Sequence, residues 1–181
     1  MEIRETKLEG CVLCVPRIHQ DGRGYFLETY RKSWFEQLPD YSKEFIQDNQ
    51  SFSHYGTIRG LHLQTTEHAQ AKLVRVVLGK VLDVAVDLRQ GSPTYGQHIS
   101  AELSAENNHQ LWIPKGFAHG FSVLSETAVV TYKCDAYYNK TAEAGIYPLD
   151  ETLAIDWQVP EERQIISEKD KELPSFIELR T

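Results

Sequence analysis

No run in these 181 residues approaches the ~20 consecutive apolar side chains that a membrane-spanning helix needs; Lys80 and Asp83 interrupt the longest candidate. The opening Met-Glu-Ile-Arg-Glu lacks the basic and apolar regions of a signal peptide, so a cytoplasmic location is expected. Positive charge is scarce too. A formal net charge of −7 argues against a broad nucleic-acid or membrane-binding face, although a few local arginines can still hold a small anion. Cysteine is limited to three residues, an odd number for a disulfide framework. Cys11 and Cys14 do have the C-x-x-C spacing of redox and metal sites. A zinc knuckle would need two more well-spaced ligands, and a redox pair usually opens a helix, whereas Gly10-Cys11-Val12-Leu13-Cys14-Val15-Pro16 reads as a strand. The cysteines are expected to be small buried hydrophobes. Repeats, low-complexity tracts and Pro/Gly/Ser linkers are also absent. The length suits one domain over residues 1–181. A domain of this size buries roughly 70% of the surface its unfolded chain exposes, so its core needs no staples.

What is present is a series of short strands with turn signals every 8–12 residues or so, the pattern of a sandwich or barrel. Lys72 to Leu78 alternates, and Gly79-Lys80 turns the chain. Val81 to Leu88 alternates again and puts Leu82, Val84, Val86 and Leu88 on one face. Gln97 to Leu103 follows the turn Gly91-Ser92-Pro93. Leu111 to Ile113 and Phe121 to Leu124 flank a loop holding Pro114 and Gly116, and Ala128 to Ala136 closes the series. Helical signals are few. Ser33 to Glu36 fits a capping box, with Pro39 limiting the helix to about two turns, and Ser167 to Asp170 reads as a second short helix. The class expected is all-β with a few short helices.

Four segments carry polar groups that a plain sandwich does not need. They run from Asp21 to Glu28, from Gln47 through Arg59 to Gln64, from Gln70 to Val76, and from Pro114 to Phe121 leading into Tyr132-Lys133-Cys134. Pro114-x-Gly-x-x-His119 matches the second cupin motif, and Gly60-Leu-His62-x-Gln64 stands where the first belongs. Metal-binding cupins have His-x-His followed by Glu there. Here Gln64 replaces the second histidine and no glutamate follows at the proper distance. Two imidazoles with amide neighbours make a poor divalent-metal site. No metal is expected.

The combination D-G-R-G-x-F-x-E, R-G-L-H-x-Q, A-x-K-L-V-R-V, D-L-R-x-G-S-P-T-Y-G, I-P-K-G-F-A-H-G-F and S-E-K-D is narrower than cupin. Together these motifs closely resemble the dTDP-4-dehydrorhamnose 3,5-epimerase family, from near residue 1 to about residue 178. The resemblance implies a cupin jelly-roll and a cofactor-free epimerisation of a dTDP-4-keto-6-deoxyhexose at the two carbons flanking its ketone. It implies that His62 removes the protons, Asp170 orients His62, Tyr132 returns a proton on the opposite face and Lys72 sits near the keto oxygen. Around the nucleotide sugar it places Arg23, Phe26, Glu28, Gln47, Asn49, Arg59, His119, Tyr138, Glu143 and Lys169. Arg23 and Glu28 usually arrive from a neighbouring subunit by strand exchange in this family, which implies a homodimer.

Elementary chemistry supports that assignment of roles. Protons next to a ketone are weakly acidic, so the enolate needs a positive or hydrogen-bonding group at its oxygen. An imidazole, with a reference pKa of about 6.5, can act as base at neutral pH. A carboxylate on its other nitrogen fixes the tautomer and stabilises the imidazolium. Inversion needs a second, distinct acid on the far face. Plainer readings stand beside these: Ser167-x-x-Asp170 is itself a capping-box pattern, Lys72 could be a solvated strand end and Tyr132 could be core. The rival functions are a mono-epimerase, a sugar-nucleotide 3,4-ketoisomerase, and a sugar-binding cupin without activity.

Overall fold

Gly79 turns the chain from one sheet into the other. Its φ is +73°, and a Cβ there would lie 2.0 Å from the Thr127 carbonyl oxygen, so only glycine fits this arch. The computed structural model describes residues 1–36, 38, 41 and 44–179. Fourteen strands occur among them: β1 (Glu2–Glu5), β2 (Val12–Val15), β3 (Ile18–Asp21), β4 (Gly24–Leu27), β5 (Gln47–His54), β6 (Thr57–Gln64), β7 (Lys72–Leu78), β8 (Lys80–Asp87), β9 (His98–Ser104), β10 (Gln110–Ile113), β11 (Phe117–Val123), β12 (Thr127–Cys134), β13 (Glu143–Gly145) and β14 (Ile165–Ile166). One sheet has the order β1-β2-β10-β7-β12-β5. The second has the order β13-β6-β11-β8-β9, with β14 added in parallel to β6. All other pairings are antiparallel. The fold is the all-β jelly-roll sandwich expected, with short helices α1 (Lys32–Phe35), α2 (Glu168–Lys171) and α3 (Phe176–Leu179). No helix among the described residues is long and apolar enough to cross a membrane.

Three apolar clusters follow from the strand periodicity. The interior one joins Val74, Val76, Val81, Ala85, Leu111, Phe117, Phe121 and Val130. Leu82, Val84 and Val86 point the other way, as their alternation requires, and pack under Ile146, Leu153, Trp157 and Phe176 from the C-terminal segment. The third cluster puts Phe35, with Tyr30, Trp34 and Phe45, over Val12, Leu73 and Trp112. Both faces of β8 are therefore buried. Cys11 and Cys14 fall in different clusters, and all three cysteines are free and buried. Burial pushes the Cys14 thiol up to about 12 and the Cys134 thiol to about 11, as inert packing residues require.

Two local expectations change. Helix α1 starts at Lys32 with Arg31 as its N-cap and no side-chain cap bond, so Ser33 lies inside the helix and forms no capping box. Pro39 lies outside the described residues. Strand β11 already begins at Phe117, three residues after Pro114, so Phe117 to Gly120 are strand and not loop. The D-L-R-x-G-S-P-T-Y-G motif folds into a structural clip away from the polar cavity. The buried Asp87 carboxylate accepts bonds from Arg89 (2.9 and 2.8 Å), Ser92 (2.6 Å) and Thr94 (2.6 Å). Burial alone would raise the Asp87 carboxyl; those donors outweigh it and hold it at about 2.

Candidate active site

Along β7 and β12 the inward-facing residues change from apolar to polar. Val76 and Val74 give way to Lys72, and Ala128 and Val130 give way to Tyr132. Edge strand β5 is polar on the same face, with Gln47, Asn49 and Ser51. These side chains form one wall of a cavity of about 540 Å³, and Arg59, His62, His119, Glu143, Lys169 and Asp170 form the other.

The close approach of β6 and β11 brings the two histidines in. Gly60 has a φ of +116°, and a Cβ there would lie 2.6 Å from Gly120 Cα. The register shifts between His119 and Phe121, and His62 faces His119 across the pair. His62 Nε2 is 2.7 Å from Asp170 Oδ1. Asp170 Oδ2 also accepts the Gly60 backbone N–H at 3.3 Å. The capping pattern forms as well, through different atoms: the Asp170 backbone N–H donates to Ser167 Oγ at 3.1 Å. Ser167 thus caps α2, and the Asp170 carboxylate is left for His62. Burial raises the Asp170 carboxyl, but the hydrogen bond and charge of His62 prevail and hold it below the ordinary range.

Lys72 is buried, and its Nζ reaches the His62 carbonyl oxygen only at a long 3.5 Å. Desolvation pushes its ammonium pKa down, against the opposing charges of Asp83 and Glu143. It is no solvated strand end. Its Nζ lies 6.0 Å from the Tyr132 ring centroid, and burial pushes the Tyr132 phenol up, so the hydroxyl keeps its proton. The Tyr132 ring stands edge-on to His119 with centroids 6.5 Å apart. His119 Nε2 lies 2.8 Å from Asp83 Oδ1. At the rim, Lys169 holds both oxygens of Glu143 at 2.7 Å, and Tyr138 donates to Glu143 at 2.9 Å. Gln47 accepts the Tyr138 backbone N–H at 2.9 Å and donates to Asn49 at 3.1 Å. Arg59 is anchored through Nε to Ser53 Oγ at 3.0 Å.

Of the fourteen residues expected at the site, eleven line this cavity: His62, Tyr132, Asp170, Lys72, Gln47, Asn49, Arg59, His119, Tyr138, Glu143 and Lys169. Arg23, Phe26 and Glu28 do not. Arg23 and Phe26 lie on the separate β3–β4 ribbon, where Arg23 pairs with Asp21 at 2.6 Å; Glu28, just beyond it, pairs with Arg31. Sequence reasoning missed Ser51, Phe121 and Asp83. The signal for Asp83 was available: a charge on a strand that is apolar on both faces.

Gln64, standing where a cupin metal ligand would be, accepts the Asn139 backbone N–H at 2.8 Å through its side-chain oxygen. His62 and His119 each commit Nε2 to a carboxylate. Among the described residues no three His, Cys, Asp or Glu side chains come together as a ligand set. Exhaustive treatment with EDTA is therefore expected to leave turnover unchanged. Activity that vanishes on chelation and returns with one divalent metal would contradict this reading of the donor set.

The sequence profile of the dTDP-4-dehydrorhamnose 3,5-epimerase family matches residues 5–178. A dTDP-4-dehydrorhamnose 3,5-epimerase from Neisseria gonorrhoeae is 49% identical over 171 residues; the match covers 94% of this chain and 51% of that protein, so this chain spans about half its length. The crystal structure of a dTDP-4-dehydrorhamnose 3,5-epimerase from Elizabethkingia anophelis superposes with a TM-score of 0.95 at 51% identity, covering 98% of this chain and 97% of that one. A dTDP-6-deoxy-D-glucose-3,5-epimerase from Legionella pneumophila, solved in complex with dTDP-4-keto-L-rhamnose, gives 0.91 at 45% identity, covering 96% and 92%.

Proposed function

This chain belongs to the dTDP-4-dehydrorhamnose 3,5-epimerase family, and on that premise we propose that it converts dTDP-4-keto-6-deoxy-D-glucose into dTDP-4-keto-L-rhamnose by inverting carbons 3 and 5. The observation that carries this reading is the His62–Asp170 pair at 2.7 Å in one cavity with Lys72 and Tyr132. His62 takes the proton from the carbon next to the ketone, and the bonding electrons move into the enolate. Asp170 balances the imidazolium that forms. Lys72 and His119 offer N–H groups to the enolate oxygen, where preorganised donors have their largest effect. Tyr132 then gives its proton to the carbon from the other face and the ketone re-forms. Gln47, Asn49, Arg59, Tyr138, Glu143 and Lys169 hold the nucleotide. The reaction is an isomerisation, so atoms and electrons balance with no cofactor. Residues 1–181 act as one epimerase domain in the cytoplasm, where a charged nucleotide sugar is retained. The test is to incubate the protein with this sugar nucleotide and read the ring-proton couplings of the product by NMR. Inverted configuration at both carbons supports the proposal, and unchanged substrate contradicts it.

We further propose a homodimer in which Arg23, Phe26 and Glu28 complete the partner's site. Three features support it. The β3–β4 ribbon pairs with neither main sheet; Tyr25 and Phe26 on it are 59% and 65% exposed; and Phe52, Val77 and Leu78 leave an apolar area on the outer face of β5 and β7. An inactive His62→Ala protein and an inactive Arg23→Ala protein, unfolded together and refolded, should regain activity. Half the dimers are then mixed, each with one intact site, giving about a quarter of wild-type activity. No recovery would show that the ribbon serves its own chain.

A further inference from the structure

Asp83 sits where the pattern of β8 does not call for a charge. Val81 and Ala85, on the same strand face, belong to the interior apolar cluster, and the carboxylate is fully buried. Oδ1 bonds His119, but Oδ2 has no hydrogen-bond partner among the described residues. A buried carboxylate with an unused oxygen is costly, and an apolar side chain of similar volume would serve packing better. Its surroundings explain it. The His119 ring faces His62 across β6, Tyr132 on β12 and Asp83 on β8, with Lys72 on β7 lining the same cavity and Asp170 behind His62. Asp83 also acts on one amine and one thiol nearby: its charge favours the Lys72 ammonium against desolvation and disfavours a thiolate at Cys11. Cys134, likewise protonated, lies beside Lys72 and Tyr132. His119 Nδ1 makes no hydrogen bond among the described residues, and His119 lines the cavity.

We infer that Asp83 is a positioning residue for this epimerisation: it holds the His119 ring by Nε2, leaves Nδ1–H to donate into the cavity, and supplies a buried counter-charge to both His119 and Lys72 beside the enolate oxygen. The inference rests on the epimerase reading. Lys72 of β7 and His119 of β11, one from each wall of the cavity, then form one oxyanion site, with Asp83 acting through His119 and not touching substrate.

Asp83→Asn is the direct test, because its amide oxygen can still accept from His119 Nε2 but carries no charge. kcat should fall ~10²-fold, the scale of losing one oxyanion donor, with KM changed by less than about threefold, as expected when only the transition state loses an interaction. The alkaline limb of the kcat profile should move to lower pH, because the Lys72 ammonium loses the Asp83 charge that opposes its desolvation. In a His119→Asn background the same change should add less than about threefold, since both substitutions remove one device. Wild-type kcat with an unmoved limb overturns the inference, and so does a full multiplicative loss in the double variant. If Asp83→Asn fails to fold, Asp83→Glu keeps the charge and moves it by one methylene. A lowered kcat with the limb in place then supports the inference, and a limb moved to lower pH overturns it. Wild-type protein in the same assay separates the two levels: inert wild type sinks the epimerase reading, whereas active wild type with an unaffected variant sinks only the role of Asp83.

Discussion

His62→Ala is expected to lower turnover by ~10²–10⁴-fold, the usual span for a positioned base, and to stop exchange of substrate protons with heavy water to the same degree. Both losses have one cause, since no enolate forms without the base. Asp170→Asn should lose catalysis in the same direction while the protein stays folded. The cap of α2 runs from the Asp170 backbone N–H to Ser167 Oγ, and an asparagine leaves that bond intact. What it removes is the charge facing His62 Nε2 at 2.7 Å. A variant that keeps full turnover and loses only stability, at the ~1 kcal/mol scale of a helix cap, would return Asp170 to a structural role. Turnover is to be measured beside thermal unfolding on the same preparation.

Tyr132→Phe should fail differently. It removes one hydroxyl and little volume from a half-buried position whose ring packs against the interior cluster, so folding and binding should survive. His62 can still take a proton and give deuterium back on the same face. Label should therefore enter with configuration retained, while inverted product falls by ~10²-fold or more. The geometry behind this is simple: one base reaches one face of the ring unless the sugar turns over. NMR of deuterium uptake against product formation separates the two variants. Near-normal inversion by Tyr132→Phe would assign the acid elsewhere, with Tyr138 at the cavity rim as the next group to test.

How far the sequence could be read depended on which way polar residues face. Lys72–Leu78 was legible to the residue, and the following strand to within one, because their alternation is apolar and bounded by Gly79. Strand β5 was not legible as a strand. Its inward positions are Gln47, Asn49, Ser51 and Ser53, and its most apolar side chain, Phe52, faces out and is 53% exposed. A strand that lines a cavity reverses the usual inside-outside pattern, and sites are where such local rules fail. His62 and His119 stood out through their motifs. Asp170 lies 108 positions from its partner, and only the family resemblance joined them before the geometry did. Arg23, Phe26 and Glu28 could not be placed by one chain at all if, as proposed, they act in the partner's site. Asp83 was readable in principle as a charge in an apolar strand, but no motif pointed to it.

The most direct test of the central claim is the position of deuterium after wild-type protein is incubated with dTDP-4-keto-6-deoxy-D-glucose in heavy water. One base working beside one ketone, with an acid on the opposite face, predicts deuterium at both carbon 3 and carbon 5 of inverted product. Label at one carbon alone would make the protein a mono-epimerase, and label at neither would contradict the account and leave a sugar-nucleotide-binding sandwich without this chemistry.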